Sequence, residues 1–90
     1  RDPLRANIIA WALASRGRFG EAEEVRQATI ERYGLLNFWQ QWVTLAYLNA
    51  QAGDSAGVEM AFDAALAIDL TTVEQALLDS LRLEVRQQIN

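Results

Sequence analysis

Apolar residues recur every three or four positions along most of this chain, the spacing that places them on one side of an α-helix. Short polar or glycine-containing stretches interrupt the pattern four times. It predicts five helices, beginning near Pro3, Phe19, Asn37, Asp54 or Ser55, and Thr71 or Thr72, and the second of them is expected to end at about Tyr33. No alternating Val-, Ile- or Thr-rich run is bounded by turns, so no strand is expected. The sequence therefore predicts an all-α fold whose short turns make neighbouring helices antiparallel.

The predicted helix ends carry residues suited to capping. Asp2 can accept from the first free N–H groups, and Pro3 suits the first helical position because it has no N–H to lose. Gly17 and Gly53 are expected to end the first and third helices, since glycine adopts the left-handed C-terminal conformation without steric cost. Capping-box spacing is found in Asn37 with Gln40, and in Thr71 with Glu74 or Thr72 with Gln75.

The chain contains an internal repeat with a period of 36 residues. Superposition at that offset gives the identities Ala10/Ala46, Ala14/Ala50, Gly17/Gly53, Glu23/Glu59 and Ala28/Ala64. Small residues at matching points let two helices approach closely, so the shared alanines have a packing reason. Chance helical periodicity would not also align the glycines. One helix-turn-helix unit is therefore expected to occur twice.

This unit resembles the tetratricopeptide repeat, a helical hairpin with a usual period of 34 residues. The second copy supplies Trp42, Leu45, Ala46, Val58, Phe62 and Ala65 at the family's spacing, and the first supplies Ala6, Ile9, Ala10, Leu13, Gly17 and Ala22. The chain departs from the pattern at Asn49, where an aromatic is usual, at Arg26, where Phe is usual, and at Leu70, where Pro is usual. Its period is also two residues longer.

The resemblance implies a right-handed solenoid of stacked antiparallel hairpins, in a single domain spanning residues 1–90. Repeat one would cover about 3–34 and repeat two about 37–70, followed by a capping or truncated-repeat helix at about 71–89. We expect the chain to be a fragment of a longer protein. The pattern also places Trp42 and Phe62 against each other inside the second hairpin.

In such repeats the first helix of each pair lines a concave groove. The residues that the resemblance places there are Asn7, Trp11, Ser15, Gln40, Val43, Tyr47 and Gln51. Aromatic and amide side chains provide contact area and adaptable hydrogen bonds for a peptide. The alternative is that Trp11 and Tyr47, which the repeat makes equivalent, only pack one repeat on the next.

An apolar group, which contains Leu35, Leu36, Phe38 and Trp39, fills the widened linker between the repeats. Leu36, Phe38 and Trp39 either seal the edge of the stack or form an exposed patch for self-association, because exposed apolar patches usually mark contacts. The second alternative predicts a homodimer or a contact with the rest of a longer protein.

Composition narrows the functional classes. The net charge is −4 and Lys, His and Cys are absent, so clustered cations for nucleic acid, the commonest general base and thiolate chemistry are all missing. Glu21, Glu23 and Glu24 form the densest carboxylate group, but their place at a helix start predicts a solvated first turn. No apolar run reaches the length of a membrane span. We expect no enzyme, no cofactor, no metal, no nucleic-acid partner and no membrane insertion, with the cytoplasm as the default location.

These observations predict a non-catalytic protein–protein interaction scaffold that presents a groove to a peptide or partner domain. The alternative is a structural self-association domain of a larger protein.

Overall fold

The computed structural model describes residues 2–89, and this part of the chain forms five helices. They are α1 (Pro3–Ser15), α2 (Phe19–Tyr33), α3 (Trp39–Gln51), α4 (Ser55–Leu66) and α5 (Thr72–Ile89). The prediction of an all-α fold is confirmed, and α2 has the predicted bounds. The domain measures 35 × 30 × 20 Å along its principal axes.

The two glycine turns have the same geometry at equivalent positions of the 36-residue repeat. Gly17 has φ +80° and Gly53 has φ +78°, so both occupy the left-handed conformation that ends a helix. After α1, the Arg18 N–H donates to the Leu13 carbonyl at 2.9 Å. After α3, the Asp54 N–H donates to the Asn49 carbonyl at 2.8 Å. The same turn is therefore built twice.

Three helices begin where their capping residues predict. The Asp2 carboxylate accepts from the Arg5 N–H, and Asp54 accepts from the Gly57 N–H at 2.9 Å. At α5 the two reciprocal bonds of a capping box are present: Thr71 N–H donates to Glu74 Oε1 at 2.9 Å, and Glu74 N–H donates to Thr71 Oγ1 at 3.1 Å.

The predicted cap of α3 is wrong. The helix begins at Trp39, its N-cap is Phe38, and no side chain of the described residues caps it. Asn37 Oδ1 instead accepts from the Trp42 indole N–H at 3.1 Å. The Trp42 indole N–H therefore binds the Asn37 amide oxygen that the capping-box spacing predicted as the acceptor for a backbone N–H of α3.

Packing proceeds between neighbouring helices. Helix α1 packs against α2, and α3 packs against α4. Helix α3 contacts both helices of the first pair, and α5 contacts both helices of the second. Helix α3 therefore lies at the centre, and the largest number of buried residues belongs to it. Alanines at equivalent positions of α1 and α3 are buried and permit the close approach: Ala10, Ala14, Ala46 and Ala50.

Two residues that depart from the tetratricopeptide pattern, Arg26 and Leu70, both contact other parts of the fold. Arg26, which replaces an apolar residue, is half-buried on α2, and its Nη2 donates to Gln41 Oε1 on α3 at 3.3 Å. A polar contact between helices thus stands where a hydrophobic one was expected. Leu70, which replaces a proline, packs against the core ahead of α5.

The two tryptophans of α3 differ in burial. Trp39 is only 9 % exposed and belongs to the core, whereas Trp42 is half-buried and packs at the core's margin. Phe62 is fully buried, as predicted. The reason is that α3 is covered on more than one side, so a residue outside the face that contacts α4 is buried by other helices.

Candidate functional site

The residues predicted to line a groove lie on α1 and α3, two helices that contact each other. Three of them are buried: Asn7, Val43 and Tyr47. Asn7 is satisfied within its own helix, because its Nδ2 donates to the Pro3 carbonyl at 2.9 Å. Val43 has no exposed surface. In this conformation these side chains contact the protein interior and not a surface groove.

Tyr47 joins α3 to α5. It is 1 % exposed, and its hydroxyl donates to Glu84 Oε2 at 3.0 Å. Burial raises the pKa of Tyr47 above its usual range, and the hydrogen bond to Glu84 and the charge of that carboxylate add to the effect. The side chain therefore serves as a neutral donor that ties the two helices. Of the two alternatives, a groove residue or a packing residue, the burial of Tyr47 supports the second.

Trp11 is half-buried and meets Trp39 edge to face, with ring centroids 5.1 Å apart and planes 70° apart. This geometry suits two aromatic rings, since the positive edge of one faces the negative face of the other. The Trp39 indole N–H donates to Glu74 Oε2 at 3.4 Å. The indole N–H of Trp11 is buried and has no hydrogen-bond partner within residues 2–89.

The remaining predicted groove residues are accessible. Ser15 and Gln51 are exposed at the C-terminal ends of α1 and α3, and Gln40 is half-buried near the start of α3. Ser15 Oγ donates to the Ala12 carbonyl of its own helix at 2.9 Å. The structure thus separates the predicted set into a buried group and an accessible group.

The predicted self-association patch is only partly at the surface. Leu36 and Phe38 are half-buried and Trp39 is buried. Leu35, which lies beside these residues in the same apolar group, is 59 % exposed. Leu35 therefore contributes more exposed apolar surface to this region than Trp39 does.

A pocket of about 200 Å³ opens where the N-terminal ends of α1, α3 and α5 meet the segment between α4 and α5. Its apolar walls are Leu4, Phe38, Trp39, Ile68 and Leu70, and its polar lining is Asn37, Gln40, Asp69 and Glu74. The two carboxylates supply all the formal charge of this lining.

Sequence reasoning missed this pocket. The capping role of Glu74 was recognisable from its spacing to Thr71. The hydrogen bond from the Thr71 backbone N–H is the main cause that lowers the pKa of Glu74. Nothing in local spacing indicated that the same carboxylate would also meet the Trp39 indole from 35 residues away.

A charge network fastens α5 to α4. Arg86 and Arg82 both donate to Glu59, through contacts of 2.6–3.0 Å, and Arg82 also reaches Asp63 Oδ1 at 2.9 Å. The hydrogen bonds from Arg86 and Arg82 lower the pKa of Glu59 to about 2. Within residues 2–89 no group of three or more His, Cys, Asp or Glu side chains could hold a metal ion. None of the helices in this range is long and apolar enough to cross a membrane.

No protein-family model matches the chain, and neither a curated protein nor a solved structure matches it.

Proposed function

We propose that this chain is a non-catalytic protein-interaction scaffold, built of two tetratricopeptide-like hairpins and a fifth helix, that binds a peptide or partner domain along α1 and α3. The observation that carries the proposal is the repeated unit. Two hairpins share one turn geometry at a 36-residue offset, and the first helix of the second pair packs on both helices of the first. Such stacking is the basis of extended binding surfaces in helical-repeat proteins.

The accessible residues supply the contact chemistry. Ser15 and Gln51 occupy equivalent positions of the repeat, and both are exposed. Hydroxyl and amide groups can donate and accept, which suits the recognition of a peptide backbone. Leu4, Ile8 and Ile9 add exposed apolar surface on α1, and a binding interface combines such area with a polar margin.

Site-specific photocrosslinking tests this proposal. A photoreactive amino acid replaces Gln51 on α3 in one protein and Glu31 on α2 in a matched control, since both positions are exposed. Each is irradiated in an extract of the source cells, and adducts are identified by mass spectrometry. We expect a distinct partner adduct from position 51 and none from position 31. Equal adducts at both positions, or none at either, would contradict binding along α1 and α3.

Self-association is the second candidate, and the exposure of Leu35 favours it. In that case the linker of one copy would cover the linker of another, which removes apolar surface from water. Sedimentation equilibrium over a wide concentration range tests it. A dimer that dissociates in Leu35→Ser supports this function, and a monomer at all concentrations excludes it.

A further inference from the structure

The pocket between the N-terminal ends of α1, α3 and α5 has a size and a lining that specify an occupant. We propose that it receives one arginine side chain of a partner peptide. This inference rests on the proposed function, because it names the residue class by which a bound peptide would be recognised. The pocket lies beside Gln40, one of the accessible residues predicted for the groove.

The volume argues for a single side chain. At about 200 Å³ the pocket is smaller than the roughly 300–1,000 Å³ of sites that enclose a drug-sized ligand. It is partly open to solvent, so the backbone of a peptide can remain outside while one side chain enters.

The walls suit a long aliphatic stem. Leu4, Phe38, Ile68 and Leu70 present apolar surface to the pocket. Arginine buries its methylene groups along such surface and keeps its charged head near water or a counter-charge. The guanidinium is also more weakly hydrated than an ammonium, so it tolerates partial burial better.

The charge of the lining favours a cation. Asp69 is exposed and Glu74 is half-buried, and the lining contains no basic residue. Bonds to Thr71 and to the Trp39 indole hold the Glu74 carboxylate in place. Because the Asp69 side chain is exposed, its carboxylate oxygens are available to a guanidinium.

The helix N-termini at this end oppose a cation, but more weakly. Each is equivalent to about half a positive charge. The Asp2 carboxylate already caps α1 and Glu74 caps α5. Of these three helices only α3 lacks a side-chain cap within residues 2–89, and the full negative charge of Asp69 exceeds that half charge.

Nuclear magnetic resonance titration with a defined probe tests the inference. The probe is a blocked pentapeptide with one central arginine and alanines elsewhere, and the matched probe carries citrulline, which is neutral and nearly the same shape. We expect the arginine peptide to shift the Trp39 indole N–H signal and the amide signals of residues 69–74 in a saturable manner. The citrulline peptide should bind about three- to fivefold more weakly, the range that a partly exposed ion pair provides.

Two protein variants complete the test. Asp69→Asn should weaken the arginine peptide by about three- to fivefold, whereas Asp79→Asn, which removes the same charge from an exposed position of α5 outside the pocket lining, should leave its affinity unchanged. Retained amide spectra show that each variant is folded. Equal weakening by both variants, equal binding of the arginine and citrulline peptides, or tighter binding of the same pentapeptide with a central glutamate would overturn the inference. If a partner is crosslinked through position 51 but the arginine peptide causes none of these shifts, arginine binding in the pocket is refuted and the proposed function still holds.

Discussion

The role of Tyr47 can be decided by one pair of substitutions. Tyr47→Ala removes an aromatic side chain that is almost fully buried between α3 and α5. Truncations of this kind cost about 3–5 kcal/mol, while a domain of this size has about 5–15 kcal/mol in total. We therefore expect a large loss of stability, not a selective loss of binding.

Tyr47→Phe isolates the hydroxyl. Its hydrogen bond to the Glu84 carboxylate is charge-assisted, and such bonds contribute about 1.5–3 kcal/mol when both groups are desolvated. Glu84 is exposed, so its carboxylate regains water once the hydroxyl is removed. The expected loss is therefore smaller, about 1 kcal/mol.

Urea unfolding followed by circular dichroism measures both effects. Tyr33→Phe is the matched control, because the Tyr33 hydroxyl is buried without a hydrogen-bond partner in residues 2–89. Removing an unpaired buried hydroxyl should be neutral or stabilising. The reasoning fails if Tyr47→Phe is no less stable than Tyr33→Phe. If Tyr47→Ala kept its stability but no longer bound a partner, Tyr47 would be a groove residue.

Two further predictions concern α4. Gly57→Ala places a Cβ against the Asp54 carboxylate that caps the helix, so a propensity gain of about 0.5–1 kcal/mol is offset by loss of a cap of about 1 kcal/mol. Gly20→Ala is the control: its Cβ meets nothing within 4 Å, so it should keep the gain in helix propensity. Equal melting temperatures of Gly57→Ala and Gly20→Ala would contradict the clash at Gly57. Because the pKa of Glu59 falls from 4.5 to about 2 on folding, its contribution to stability is complete above pH 4.5 and is lost as the pH falls toward 2. Denaturant midpoints measured across this interval should vary less in Glu59→Gln than in the exposed control Glu31→Gln, and parallel profiles would exclude the effect.

Local features of this protein followed from the sequence by itself. The glycine turns, the capping box at Thr71 and Glu74, and the bounds of α2 all depend on groups within a few residues of one another. Backbone sterics and short-range hydrogen bonds decide such features before any helix meets another. The 36-residue repeat was equally readable, because equal turns and equal small residues are a property of the chain.

Tertiary packing decided the rest. Periodicity placed Trp39 and Tyr47 on faces of α3, but it could not show that α1 and α5 would cover those faces. Asn37 had two possible partners, the backbone of the next turn and the Trp42 indole, and only the folded chain brings the second within 3.1 Å. The acidic pocket likewise needs segments from three parts of the chain. A residue's helical face depends on its own position, whereas its burial depends on which distant helix comes to lie against it.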